Sequence, residues 1–150
     1  MQATYETTLE RSDLGAARPV TAGGKAQRVT GRVLSGIAIA FLSFDAVIKL
    51  VEIEAVRKGT VELGYPVEIA FTLGLVLLAS VLIHLIPRTA VLGALLLTGY
   101  LGGAVATHVR VSHPLFSHTL FPVYVAVFIW AGLVLRDPRV RAAFGFGTRA

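Results

Sequence analysis

The sequence predicts an all-α fold, a four-helix transmembrane bundle with both termini cytoplasmic. Three observations predict it. The 150 residues are 55% hydrophobic and only 15% charged, with a mean hydropathy of +0.72, whereas a soluble domain carries about 25% charged residues. The apolar residues gather into charge-free runs at 33–44, 69–83, 89–107 and 119–135. With their polar ends these give spans near 31–53, 67–86, 89–109 and 115–135, close to the roughly 20 residues that a bilayer crossing needs. Finally, of the 14 Lys and Arg residues, only Lys49, Arg57, Lys58 and Arg110 fall on the side opposite the amino terminus. The side richer in Lys and Arg is expected to be cytoplasmic.

These features exclude several classes. A soluble helical core would need a polar outer face on each helix, but stretches 91–101 and 123–135 are apolar on nearly every face. The formal charge of +5 flanks hydrophobic runs and does not interleave with aromatics, so it reads as a topology signal for the lipid bilayer and not as a nucleic-acid surface. The chain has no cysteine, which rules out dithiol redox chemistry, thiolate metal sites and disulfides.

Taken in order, residues 1–28 are polar, without periodicity or an apolar signal core, and read as a flexible cytoplasmic tail. The transmembrane domain follows at 29–143. Its first helix is expected to begin near Thr30 and to run to about Val56, where Lys58-Gly59-Thr60 breaks it. Gly64-Tyr65-Pro66 supplies a bend and a proline at the start of the second helix. Pro87-Arg88-Thr89 is so short that helices two and three must be antiparallel neighbours. In helix three, Gly99 and Gly103 form a small-xxx-small pair suited to helix packing, within one bundle or across a homodimer. Ser112-His113-Pro114 turns the chain into helix four. Pro122 there removes the hydrogen bond to the carbonyl of His118 and predicts a kink. Residues 144–150 form a short basic tail.

The residues most expensive to bury are Asp45 and Lys49, inside the first span. Eleven strongly apolar residues between positions 33 and 51 favour insertion by about 3–7 kcal/mol, and a central Asp costs roughly 2.5–3.5 kcal/mol on the same scale. Such a residue is expected to be paired or to face an aqueous cavity. Asp45, Lys49 and Glu52 share one face at i, i+4 and i+7. At ~1.5 Å per residue from Val33, Asp45 lies about 18 Å in and Lys49 about 24 Å. His108 and Thr107 end helix three at the same level, His118 begins helix four there, and Glu68 and Thr72 open helix two. Polar groups therefore collect in the outer half, while the inner half is apolar apart from His84. This predicts a polar pocket with Asp45, Lys49, His108 and His118 as ligand-binding residues and Tyr100 and Tyr124 as walls for a flat ring. His108, His113 and His118 recur every five residues, but that spacing crosses a turn and does not align them on one helix, so no metal site is expected. No phosphate loop, nucleophile elbow or zinc-protease motif occurs, and no catalytic residue can be named.

Phe44-Asp45-Ala46-Val47-Ile48-Lys49-Leu50, Leu63-Gly64-Tyr65-Pro66, the long block at 86–111 including Thr98-Gly99-Tyr100-Leu101-Gly102-Gly103, Pro114-Leu115-Phe116 and Leu135-Arg136-Asp137-Pro138-Arg139 resemble the DoxX-like membrane proteins over roughly 28–143. The resemblance implies a bacterial inner-membrane protein of four helices. It also implies an association with redox chemistry, since the family takes its name from a subunit of a thiosulfate:quinone oxidoreductase. Quinone is the cofactor and a redox subunit the partner that this suggests. Members often carry a Glu in the second helix, in a stretch that here reads Gly74-Leu75-Val76-Leu77-Leu78-Ala79, so no mechanism needing a mid-membrane carboxylate there applies. Three readings follow: an accessory or quinone-interacting component of a membrane redox system, a non-catalytic scaffold that binds a partner, and a small-molecule or lipid binder.

Overall fold

The structure is a computed structural model that describes residues 22–145. The expected tails at 1–21 and 146–150 lie outside the described residues. In order, the elements are α1 (Ala22–Leu50), α2 (Glu54–Glu62), α3 (Ile69–Leu85), α4 (Ala90–Arg110), a π-helical turn (Leu115–Thr119), α5 (Phe121–Arg136) and α6 (Pro138–Ala143), with no strand among the described residues. Gly24–Leu50, Ala90–Arg110 and Leu115–Arg136 are long and apolar enough to cross a membrane, and Ile69–Leu85 is a shorter apolar helix.

The four long helices form a ring. α1 packs on α3 and α5, α4 packs on the same two, and α1 and α4 face each other across the bundle. Each contributes one buried stripe: Ala38, Leu42 and Ala46 from α1, Leu77 and Val81 from α3, Ala94 and Leu97 from α4, and Ile129 and Leu133 from α5. Outward stand Val33, Ile37, Phe44, Leu75, Leu82, Leu92, Leu95 and Val127, all at least half exposed. An apolar exterior around an apolar core is what a lipid solvent permits.

Glycines set the tightest crossings. A Cβ on Gly31 would lie 2.9 Å from the Gly132 carbonyl, and one on Gly132 would lie 2.8 Å from the Gly31 carbonyl, so α1 and α5 meet backbone to backbone. Between α3 and α4, a Cβ on Gly93 would overlap the backbone of His84. His84 is fully buried there. Its Nδ1 lies 2.8 Å from the Ala90 carbonyl, and Arg136 Nη2 lies 3.4 Å from its Nε2. A carbonyl only accepts and a guanidinium only donates, so His84 carries its proton on Nδ1. This network clamps α3, α4 and α5 at the end opposite the α1–α2 turn.

Several sequence expectations change. α1 starts at Ala22, within the segment read as tail, and stops at Leu50, not near Val56. The stop is a Schellman closure: Ile53 N–H donates to the Ile48 carbonyl, Glu52 N–H donates to that of Lys49, and Glu52 takes φ +53°. Gly59 lies within α2 and breaks nothing. The same closure ends α2 at Gly64 (φ +77°) and α4 at Ser112 (φ +55°). Pro122 does not kink a helix. It sits in the first turn of α5, where a missing N–H is free of cost, after a π turn closed by Leu120 N–H donating to the Leu115 carbonyl. Gly99 and Gly103 pack against no neighbouring element among the described residues: beyond their own helix backbone, no atom lies within 4 Å of a Cβ built on either.

Candidate functional site

At the end where α1 turns into α2, the ring of helices opens around a cavity of about 570 Å³. Clefts that enclose small organic ligands measure roughly 300–1,000 Å³. α1 supplies Phe41, Leu42, Asp45 and Lys49, and α4 supplies Tyr100, Ala104, Thr107 and His108. α5 closes one side with Phe121, Pro122 and Val125, and α3 another with Ile69 and Leu73. α2 and the bend after it lie at the end, contributing Thr60, Leu63 and Tyr65. The walls are mainly apolar.

Four of the expected ligand residues share this cavity: Asp45, Lys49, Tyr100 and His108. Asp45 and Lys49 form an ion pair, each about three-quarters buried. Their i, i+4 spacing on one turn of α1 makes the pairing local, and the two charges cancel for any ligand that faces them. Glu52, expected on the same face, is carried away by the end of α1 and pairs with Arg57 at 3.2 Å. Phe41 meets Phe121 edge to face at 5.2 Å, joining α1 to α5 along the cavity wall.

His118 and Tyr124 fall outside the lining, as do Glu68 and Thr72. Tyr124 is 47% exposed on the outer face of α5 because α5 starts after the π turn, which sets its rotation. His118 is exposed and sits one ring behind His108. The three imidazoles cluster, with centroids 5.1 Å (His108 to His113), 5.3 Å (His113 to His118) and 6.1 Å (His108 to His118) apart. Their Nδ1 atoms are engaged, with His108 Nδ1 lying 2.9 Å from His113 Nδ1 and His118 Nδ1 2.8 Å from Ser117 Oγ. Among the described residues, no group of three His, Asp or Glu side chains is arranged to hold a metal ion.

The end segment is tied down by residues that sequence reasoning passed over. Thr107 Oγ1 donates to the Gly103 carbonyl (2.9 Å), so the Tyr65 hydroxyl donates to Thr107 (2.9 Å). Arg110 lies over the Tyr65 ring, 4.9 Å from its centroid, and its Nη2 donates to the Leu63 carbonyl at 2.5 Å. The signal was present as a tyrosine between Gly64 and Pro66 and an arginine one turn after Thr107. Trp130 donates from Nε1 to Thr98 Oγ1 at 2.9 Å and so joins α5 to α4.

Against known proteins, the DoxX-like family pattern matches residues 33–132, two thirds of the chain. The chain belongs to the DoxX-like family. No curated protein and no solved structure matches it. The family match runs from the middle of α1 through most of α5, and with the apolar helices it makes this DoxX-like protein a multi-pass membrane protein. All of the cavity lining falls inside the matched region.

Proposed function

We propose that this DoxX-like protein lies in the bacterial inner membrane with four spans and both termini cytoplasmic, and that its cavity binds the head group of a membrane quinone or a similar neutral ring compound, as an accessory component of a membrane redox system. One observation carries this reading. A charge-neutral ion pair, Asp45–Lys49, shares an otherwise apolar cavity with Tyr100, Thr107 and His108. Buried polar groups that are locally balanced suit a neutral ligand bearing both acceptor and donor atoms better than an ion. Lys49 Nζ, a ring nitrogen of His108 and the Tyr100 hydroxyl can donate to ring oxygens, and Phe41 and Phe121 border the apolar part. A bound quinone would supply two-electron, two-proton chemistry. The chain's residues would hold and orient it.

The test is purification from native membranes followed by solvent extraction and quinone quantification. Quinone near one per chain is expected, with a fall of at least fivefold in Asp45→Asn at equal folded yield. A quinone-free preparation, or unchanged content in Asp45→Asn, removes the reading. The scaffold reading draws on Gly102 and Ala106, exposed on the outer face of α4, where a second copy or a redox subunit can approach closely. It predicts a stoichiometric crosslinked partner in native membranes.

A further inference from the structure

We propose that the cavity opens sideways into the bilayer through a slot between α3 and α4, so that its ligand is a membrane-dissolved amphiphile drawn from the lipid and not a solute taken from water. The inference rests on reading the cavity as a ligand site, and it names the phase from which that ligand comes.

The cavity lacks a wall at one place. Gly99 and Gly103 line it, yet both are exposed on the outside of the bundle. No atom lies within 4 Å of where their Cβ atoms would be. Helix geometry says which way this gap faces. Gly103 lies one i, i+4 step, about 40° around the helix, from Thr107, and Thr107 meets Tyr65, just ahead of α3. Thr98 lies about 140° from Gly103, and it meets Trp130 of α5. Gly103 therefore stands on the α3 side of α4, with Gly99 facing outward beside it, and the cavity residues of α3 are Ile69 and Leu73, both half-buried.

Two fixed points bound the slot. At the α3–α4 turn, the two helices are pressed together where Gly93 meets the backbone of His84. At the other end, the Tyr65–Thr107 bond and the Arg110 contacts close it. Between them, one edge is bare helix backbone and the other is Ile69 and Leu73, with no charged side chain on either. Such a rim suits an alkyl chain, while Asp45, Lys49 and His108 lie inside at a polar pole. A ligand with a polar ring and an apolar tail fits this division, its tail trailing out between the helices into the acyl chains.

The chain has no cysteine, so single cysteines report cleanly. Full-length protein carrying Ala104→Cys, inside the cavity, and separately Gly103→Cys, at its edge, is nitroxide-labelled and reconstituted in phosphatidylcholine vesicles. Collision rates are read by electron paramagnetic resonance with oxygen, which partitions into lipid, and with a neutral nickel chelate, which stays in water. Val127→Cys on the outer face of α5 serves as the lipid reference and Lys58→Cys on α2 as the water reference. Oxygen-to-nickel ratios at 104 and 103 within a factor of two of position 127 are expected. Ratios matching position 58 overturn the slot, because the cavity then opens to water. A Gly103→Leu plug should also lower co-purified quinone at least threefold. Lipid-like ratios in a protein that carries no quinone leave the slot standing and remove only the quinone assignment.

Discussion

Two glycines ten residues apart on α4 give the sharpest test of the packing. A Cβ on Gly93 would overlap the nitrogen and Cα of His84 and come within 2.6 Å of its Cβ, whereas Gly103 has open space. The Gly93→Ala methyl meets backbone, which cannot swing aside, so α3 and α4 must separate at their tightest point. Overpacking of this kind costs about 1–3 kcal/mol. The separation also strains the His84–Ala90 bond, whose loss adds about 1 kcal/mol. Both substitutions share the same intrinsic helix gain of about 1 kcal/mol, so subtracting one variant from the other isolates the contact. Gly93→Ala should be about 2–4 kcal/mol less stable than Gly103→Ala. The assay is reversible unfolding in mixed detergent–dodecyl sulfate micelles, followed by the fluorescence of Trp130, the only tryptophan. A difference below about 0.5 kcal/mol, or a reversed order, would refute the clamp at His84.

Four further outcomes can be checked. Leu77→Ala, at a fully buried core position, should cost about 2–4 kcal/mol in the same unfolding assay; a cost under about 1 kcal/mol would mean that the ring is loosely packed. Glu52→Gly relieves a left-handed residue at the cost of an exposed pair with Arg57, and should stabilise by about 0.5–1 kcal/mol, with destabilisation as the contrary result. Nitrogen NMR of His108 and His113 near neutral pH should show one Nδ1 bearing a proton and one bare, since an N–H···N bond needs both; two protonated Nδ1 atoms would contradict it. Cysteines at Lys58 and Arg139 should differ in spheroplasts, the first labelled by an impermeant maleimide and the second silent, and labelling of both would end the four-span orientation.

The long helices were legible because lipid demands continuous apolar runs, and those runs need no partner to be recognised. The Asp45–Lys49 pair was legible for a local reason, since its geometry lies within one turn of one helix. His108 was placed at the right level by counting residues. The errors share one cause: they needed the path of the backbone at helix ends. Glu52 and Ser112 close helices in a conformation usually left to glycine, so nothing in the residue types marked the stop, and Gly59 drew the break to the wrong place. The π turn before α5 then rotated Tyr124 outward and left His118 behind His108. Gly99 and Gly103 looked like a packing pair, but the glycines that pack within the bundle are Gly31, Gly74, Gly93 and Gly132. A glycine's spacing does not say whether a neighbouring helix or an empty volume stands opposite it; only the crossing of two helices does.

The buried His84–Arg136 network and the Gly93 crossing bear on motion as well as on stability. The hollow is fastened at both ends, by His84 and Arg136 at one and by Tyr65, Thr107 and Arg110 at the other, like a bow held at its two tips. Any parting of the helices falls in the unfastened middle, above the packed stripe. Loosening the His84 fastening should therefore speed the exchange of whatever the hollow holds, while leaving the groups that grip it unchanged.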